Sequence, residues 1–407
     1  MNSWEDLFAT RSERMKASEI RELLKLLDQP DIISFAGGIP DPELFPKEEF
    51  SRAYAQVLGS EMGTNALQYS VSEGYLPLRE WICGYMANAG VECTPDNVLI
   101  TSGSQQGLDY LGKLFLSPGD TALVEWPTYL GALQAFNAYE PNFDRLDFQT
   151  NRALDDYQAK ASAAGGAVKF AYACTDFANP TGNTMDLASR EKLLDLAEAL
   201  EIAVIEDAAY HALRYDGEPL EPVLARDIAR SGGIENSRSV FCGTFSKTLT
   251  PGLRVGWMVG ASELISKLVL IKQASDLHSP SINQMVVDHV ARACFDQQVE
   301  TIRKAYGDRR DRMLAMLKQE MPEGIEWSHP NGGMFIWITL PEGMDGAQLL
   351  ADSIKTAKVA FVPGSAFFAD SSGKNTIRLS FSCASHEMID TGIKRLGELI
   401  AQSKSAD

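Results

Sequence analysis

The sequence predicts an α/β fold built on a largely parallel sheet, and three observations carry that reading. Short apolar runs alternate with amphipathic helical periods through most of the chain, the pattern of strands joined by helical crossovers. The runs are continuously apolar, as strands buried on both faces require. Near residue 276 the character changes to one long helical period followed by short strands and helices, which predicts a second, smaller α+β unit. A chain of 407 residues exceeds one compact core. The expected division is a large domain over 46–276 and a small domain made of 1–45 plus 277–407.

Taken in order, residues 74–89 read as a helix and VLIT (98–101) as the first buried strand, followed by a helix from Gln105 to Phe115. TALVE (121–125) is the next strand, with a helix from Thr128 to Tyr139. VKFAYAC (168–174), IAVIED (202–207), SVFCGT (239–244) and VGWMVG (255–260) are further strands, and 187–201 is an amphipathic helix between the first two. Beyond the change of character, 281–318 reads as a long helix. FIWITL (335–340), VAFVPG (359–364) and TIRLSFS (376–382) are strands, with helices over 346–357 and 386–402. The segment up to about Phe45 is expected to pack on the small domain or on a partner subunit.

Composition narrows the function. A formal net charge of −18 disfavours binding to nucleic acid or anionic lipid. No run approaches the roughly 20 apolar residues of a membrane span. The N-terminal stretch lacks the apolar core of a secretory leader, so a cytoplasmic address is expected. The six cysteines are scattered without a CxxC pair, and the five histidines show no ligand spacing; no metal is expected and the thiols read as reduced.

Five places carry candidate chemistry. Lys247 lies just past an apolar strand in GTFSKTLTPGLR, with Arg254 seven residues on and hydroxyls at Thr244, Ser246 and Thr248. Taken alone Lys247 would more often be a surface lysine; with Arg254 it makes a pair of cations suited to a phosphate-bearing ligand. Asp207 closes IAVIED at the strand end where open α/β sheets bind ligands. It reads either as a cap or as a buried carboxylate awaiting a cation, such as a protonated ring nitrogen, with Tyr210 three residues on. ANPTGN (178–183) is a turn that can present the Asn179 amide. TSGSQQGL (101–108) runs from strand through glycine into a helix, placing Ser104 and Gln105 at an N-terminus able to take phosphate. In TIRLSFS, Arg378 shares a face with Ser380 and Ser382, and is either a solvent-facing charge or a fork for a carboxylate.

These motifs, in this order, resemble the fold-type-I aminotransferases of class I/II, which depend on pyridoxal 5′-phosphate (PLP). The resemblance runs from about Met15 to the C-terminus. It implies the PLP-dependent transferase fold: a mostly parallel seven-stranded sheet between helices, plus the smaller α+β domain. It implies that Lys247 holds PLP as a Schiff base and then moves the α-proton. Asp207 would bind the ring nitrogen, Asn179 and Tyr210 the ring oxygen. Tyr129, in WPTYLGAL, would stack on the ring. Ser104, Gln105, Thr244, Ser246 and Arg254 would bind the phosphate, and Arg378, with Asn179, the substrate carboxylate. Tyr69, in LQYSVSEG, matches a tyrosine offered to the neighbouring subunit's phosphate, which implies a homodimer with shared active sites.

Residues 15–46 resemble more narrowly the 2-aminoadipate and kynurenine aminotransferase branch, in which an N-terminal helix covers the substrate pocket. Arg21 and Gly38 match substrate-side positions of that branch. The implied reaction moves an amino group from an L-amino acid (2-aminoadipate, glutamate, aromatic or branched-chain) to a 2-oxo acid such as 2-oxoglutarate. A β-lyase, a decarboxylase or a cyclopropane-forming synthase on the same scaffold keeps the same cofactor residues. A ligand-sensing regulatory domain and a bare phosphate-binding module are more distant readings, the last leaving Lys247 unexplained.

Overall fold

The computed structural model describes residues 3–15, 31–147 and 152–404. Its strands are β1 (Ile33–Ser34), β2 (Val98–Thr101), β3 (Thr121–Val124), β4 (Asn142–Arg145), β5 (Val168–Ala173), β6 (Ala203–Asp207), β7 (Ser239–Thr244), β8 (Gly256–Val259), β9 (Glu326–Trp327), β10 (Phe335–Thr339), β11 (Val359–Ala360), β12 (Val362–Pro363) and β13 (Thr376–Ser380). The large sheet has seven strands in the order β2-β8-β7-β6-β5-β3-β4. Only β8 runs against its neighbours, pairing antiparallel with both β2 and β7. The mostly parallel seven-stranded sheet is therefore as expected, and β3 and β7 within it are buried along their whole length.

This topology gathers the site. The C-terminal ends of β2, β3, β5, β6 and β7 all lie along one edge, where ligands bind in open α/β sheets. Because β8 runs the other way, it is the loop before it, carrying Arg254, that reaches the same edge. Thr101 and Thr244 flank Gly256 in register there.

A four-stranded antiparallel sheet, β12-β13-β10-β9, forms the second layer system, with β1 and β11 as a separate parallel pair. Arg378 sits on β13, between Trp337 of β10 and Val362 of β12. The 40-residue helix Ser281–Glu320 packs on both the Lys47–Gly59 and His386–Lys404 helices. Its buried Met313 and Leu317 join Phe335, Ile338, Leu379 and Ile389 in one cluster. Among the described residues, no helix is long and apolar enough to cross a membrane.

Among the departures from the sequence reading, three have a physical reason in the packing. β4, with sequence NFDR, lacks an apolar run because it is the sheet's edge strand. VAFVPG is two short strands rather than one: β11 pairs with β1, while β12 joins the other sheet. The helix expected over 346–357 is α-helical only through Asp352; Ser353–Ala357 widens into a π-helical turn that ends at Lys358, whose φ is 57°.

Candidate active site

All the candidate residues except Tyr69, Arg21 and Thr248 line one cavity of about 540 Å³ at the C-terminal edge of the large sheet. Arg21 lies outside the described residues. Tyr69 is 79% exposed, its ring edge-on to His278 with centroids 5.8 Å apart, and it does not line this chain's cavity. Another groove, of about 660 Å³, lies elsewhere and is lined in part by paired charges. There Arg230 pairs with Glu191 and Asp195, and Asp227 accepts from the backbone of Arg238 and Ser239.

One end of the cavity is a cradle for an anion. The Ser104–Phe115 helix begins there, after Gly103 with φ 78°, so free N–H groups and the positive dipole end face inward. A Cβ on Gly103 would lie 2.4 Å from Nη2 of Arg254; glycine is what lets the guanidinium close over the turn. A Cβ on Gly256 would lie 2.7 Å from the Ser104 nitrogen, so the strand beneath also presses close. Arg254 donates from Nη1 to Ser246 Oγ at 3.4 Å and from Nη2 to the Ser102 carbonyl at 3.5 Å. Thr244 Oγ1 donates to Ser246 Oγ at 2.9 Å and accepts from the Ser246 N–H at 3.1 Å.

At the centre stands Lys247, closing the short 3-10 turn Phe245–Lys247 after β7. Its Nζ donates to the Gly38 carbonyl at 3.0 Å and lies 5.9 Å from the Tyr210 ring centroid. Burial, with the nearby charges of Arg378 and Arg254, lowers its pKa to about 8. Asp207 faces it from the end of β6. Oδ2 accepts from Tyr172 at 2.7 Å, whereas Oδ1 is buried without a partner among the described residues. Burial raises the Asp207 pKa to about 6 against the opposing pull of Tyr172, the Ala209 N–H and Lys247. An unpartnered buried carboxylate oxygen beside a cavity is costly unless a ligand donates to it.

Tyr129 forms a side wall, its hydroxyl 3.5 Å from Gln105 Oε1. Gln105 Nε2 donates to the Gly131 carbonyl at 2.6 Å. A Cβ at Gly131 would come 2.4 Å from the Tyr129 ring, so this glycine leaves the aromatic face its room. Burial raises the Tyr129 hydroxyl pKa to about 12, and it pushes that of Tyr210 well above the ordinary range.

The far end is set by Arg378. Every residue of β13 is buried, because the 35–39 segment folds across the strand: Ser380 N donates to the Phe35 carbonyl at 2.8 Å. The solvent-facing reading of Arg378 is thereby corrected. The guanidinium donates from Nη1 to Asn179 Oδ1 at 2.7 Å and from Nη2 to the Ala36 carbonyl at 2.8 Å, while Nε has no partner among the described residues. Phe335 and Phe367 flank it at 4.2 and 5.0 Å, a cation–π clamp that fixes the fork. Gly38 belongs to this end, since a Cβ there would meet Phe335 at 3.0 Å. Sequence reasoning missed this clamp and Tyr172, because apolar-run counting treats buried aromatics as packing.

Three cations and one acidic group thus converge on a cavity with an anion cradle at one end and a guanidinium fork at the other. Comparison with known proteins agrees with that chemistry. The family model "Aminotransferase class I and II" matches residues 31–396. The chain is 41% identical over 405 residues to "Aromatic-amino-acid aminotransferase 1" of Thermococcus litoralis, spanning 98% of this chain and 95% of the relative. It is 42% identical over 399 residues to "2-aminoadipate transaminase" of Thermus thermophilus, spanning 98% and 97%. Among solved structures, LysN, the α-aminoadipate aminotransferase of Thermus thermophilus complexed with N-(5′-phosphopyridoxyl)-L-leucine, superposes with a TM-score of 0.88 at 38% identity over 100% of both chains.

Proposed function

This chain belongs to the class I and II aminotransferases, enzymes that use PLP, and on that premise we propose the substrates it takes and the part each residue plays. The donor is an L-amino acid of the 2-aminoadipate, glutamate, aromatic or branched-chain type, and the acceptor is a 2-oxo acid such as 2-oxoglutarate. Relatives named for aromatic amino acids and for 2-aminoadipate, each near 40% identity over almost the whole chain, support that range.

The observation that carries the assignment is the pairing of a low-pKa buried amine, Lys247, with an unsatisfied carboxylate oxygen, Asp207 Oδ1, across one cavity. The residues present fit PLP. Asp207 Oδ1 suits a protonated ring nitrogen, Asn179 and Tyr210 the ring oxygen, and the Tyr129 face the ring plane. Ser104, Gln105, Thr244, Ser246 and Arg254 suit the phosphate. When bound, PLP supplies an electron sink for negative charge at the substrate's α-carbon.

The chain's own groups do the rest. Arg378 binds the α-carboxylate through its fork and so fixes which bond of the α-carbon faces Lys247. Lys247 Nζ, neutral above a pH of about 8, removes the α-proton and returns it one position along. Asn179 is held by Arg378 through Oδ1, which leaves its Nδ2 free to donate toward the cofactor. Gly38 and Ile39 cover the substrate side, and Arg21 is assigned to side-chain selection there. The exposed Tyr69 is assigned to the partner's phosphate site in a homodimer with shared active sites, acting in the cytoplasm. The domain division is 46–276 against 1–45 plus 277–407.

Incubation with 2-aminoadipate and 2-oxoglutarate tests the reaction, with glutamate as the expected product. Release of ammonia without need of a 2-oxo acid would replace transfer by lyase chemistry.

A further inference from the structure

Behind Asp207 lies a contact that the assignment above does not use. Tyr172 is fully buried in β5, its ring edge-on to Phe136 with centroids 5.7 Å apart. In the parallel β5–β6 register Tyr172 sits opposite Ile205. Asp207 is two residues further along, on the same face of the sheet, a diagonal neighbour within reach of a tyrosine. The hydroxyl donates to Asp207 Oδ2 at 2.7 Å, and Oδ1 is left without a partner at the cavity wall.

We propose that Tyr172 is a positioning residue for the cofactor's ring nitrogen: it holds Asp207 as a carboxylate and turns the bare Oδ1 into the cavity. The inference rests on the reading of Asp207 given above. Burial pushes the Tyr172 hydroxyl well above the ordinary range, so it is a donor at every working pH. A donor to the charged form favours that form. The other groups around Asp207 offer little replacement. Glu125 beyond β3, Cys174 beyond β5, Cys242 on β7, and Tyr129 and Tyr210 at the cavity all feel Asp207 as a like charge. Among the described residues, Lys247 and the Ala209 N–H also favour the carboxylate.

The test is the dissociation constant of PLP, measured by equilibrium titration of cofactor-free protein across the pH range around neutrality. Tyr172→Phe keeps the ring and removes the hydroxyl. Affinity falls about tenfold at neutral pH, the scale of one hydrogen bond to a charged group. The acid-side midpoint of the affinity profile moves to higher pH. In an Asp207→Asn background the same substitution costs much less and moves no midpoint, because the amide still accepts from Tyr172 but the ionisable carboxylate is gone. A purely packing role predicts equal losses in both backgrounds and an unmoved midpoint, and either result overturns the proposal. Should Tyr172→Phe fail to fold, 3-fluorotyrosine placed at position 172 is the second probe. Its more acidic hydroxyl donates more strongly, so the midpoint moves to lower pH; no movement refutes the proposal. A parent chain that binds no PLP sinks the cofactor assignment itself, whereas a parent that binds it and a variant that matches it sink only the role of Tyr172.

Discussion

Replacing Asp207 by Asn should stabilise the cofactor-free protein while abolishing its chemistry. In the folded chain the carboxyl is buried and its pKa rises from the ordinary 3.8 to about 6. A folded-state pKa above the unfolded one means the native state holds the proton more tightly. Stability from this group is therefore fully present below about pH 3.8 and is lost as pH rises through about 6. At about 1.4 kcal/mol per pH unit, the native state above pH 6 carries roughly 3 kcal/mol of penalty. Asparagine keeps an oxygen to accept from Tyr172 but never ionises, so the penalty disappears. For a chain of this length the gain corresponds to about 3–4 °C in Tm. Thermal melts of the two cofactor-free proteins at pH 8 and near pH 5 provide the assay. The variant melts higher at pH 8, and the gap narrows as pH falls. With PLP bound the order reverses, because only the parent can pair with the ring nitrogen. A cofactor-free variant that melts lower than the parent, or a gap independent of pH, refutes the reasoning.

Three further outcomes are expected. The rate of α-proton removal in a single half-reaction, followed by stopped flow, rises with pH and levels off above a midpoint of about 8, since Lys247 must be neutral to act as a base. Arg378→Leu removes a charge-assisted fork and lowers kcat/KM for amino acids by about 10–100-fold, mostly through KM, while PLP still binds. Gly131→Ala places a methyl group 2.4 Å from the Tyr129 ring; the displaced ring weakens PLP binding, measurable as a higher dissociation constant with secondary structure retained.

Most of this site was legible because strand ends carry it. Asp207 closes a run read as a buried strand, Asn179 and Ser104 each follow another at the same sheet edge, and Tyr129 came from the family resemblance. Arg254 was legible from its place beside a strand, although the antiparallel sense of β8 that delivers it to that edge was not. Arg378 had two readings because alternation along β13 defines faces without saying what covers them. The cover comes from Phe35 and Ala36, more than 340 residues earlier in the chain. Tyr172 was hidden for a related reason, since its hydroxyl matters only through a carboxylate on the next strand. β4 escaped because an edge strand needs no apolar run, and VAFVPG reads as one strand because its division depends on pairing with β1, which periodicity does not encode.

Borohydride reduction of the PLP-loaded protein, followed by peptide mass mapping, tests the central claim most directly. The account predicts a visible absorption band that reduction removes, a pyridoxyl group fixed on the peptide containing Lys247, and neither in Lys247→Ala. It also predicts that glutamate or 2-aminoadipate discharges the band before reduction and so protects Lys247 from labelling. A protein that takes up no PLP, or one labelled at a different lysine with Lys247 free, would contradict it.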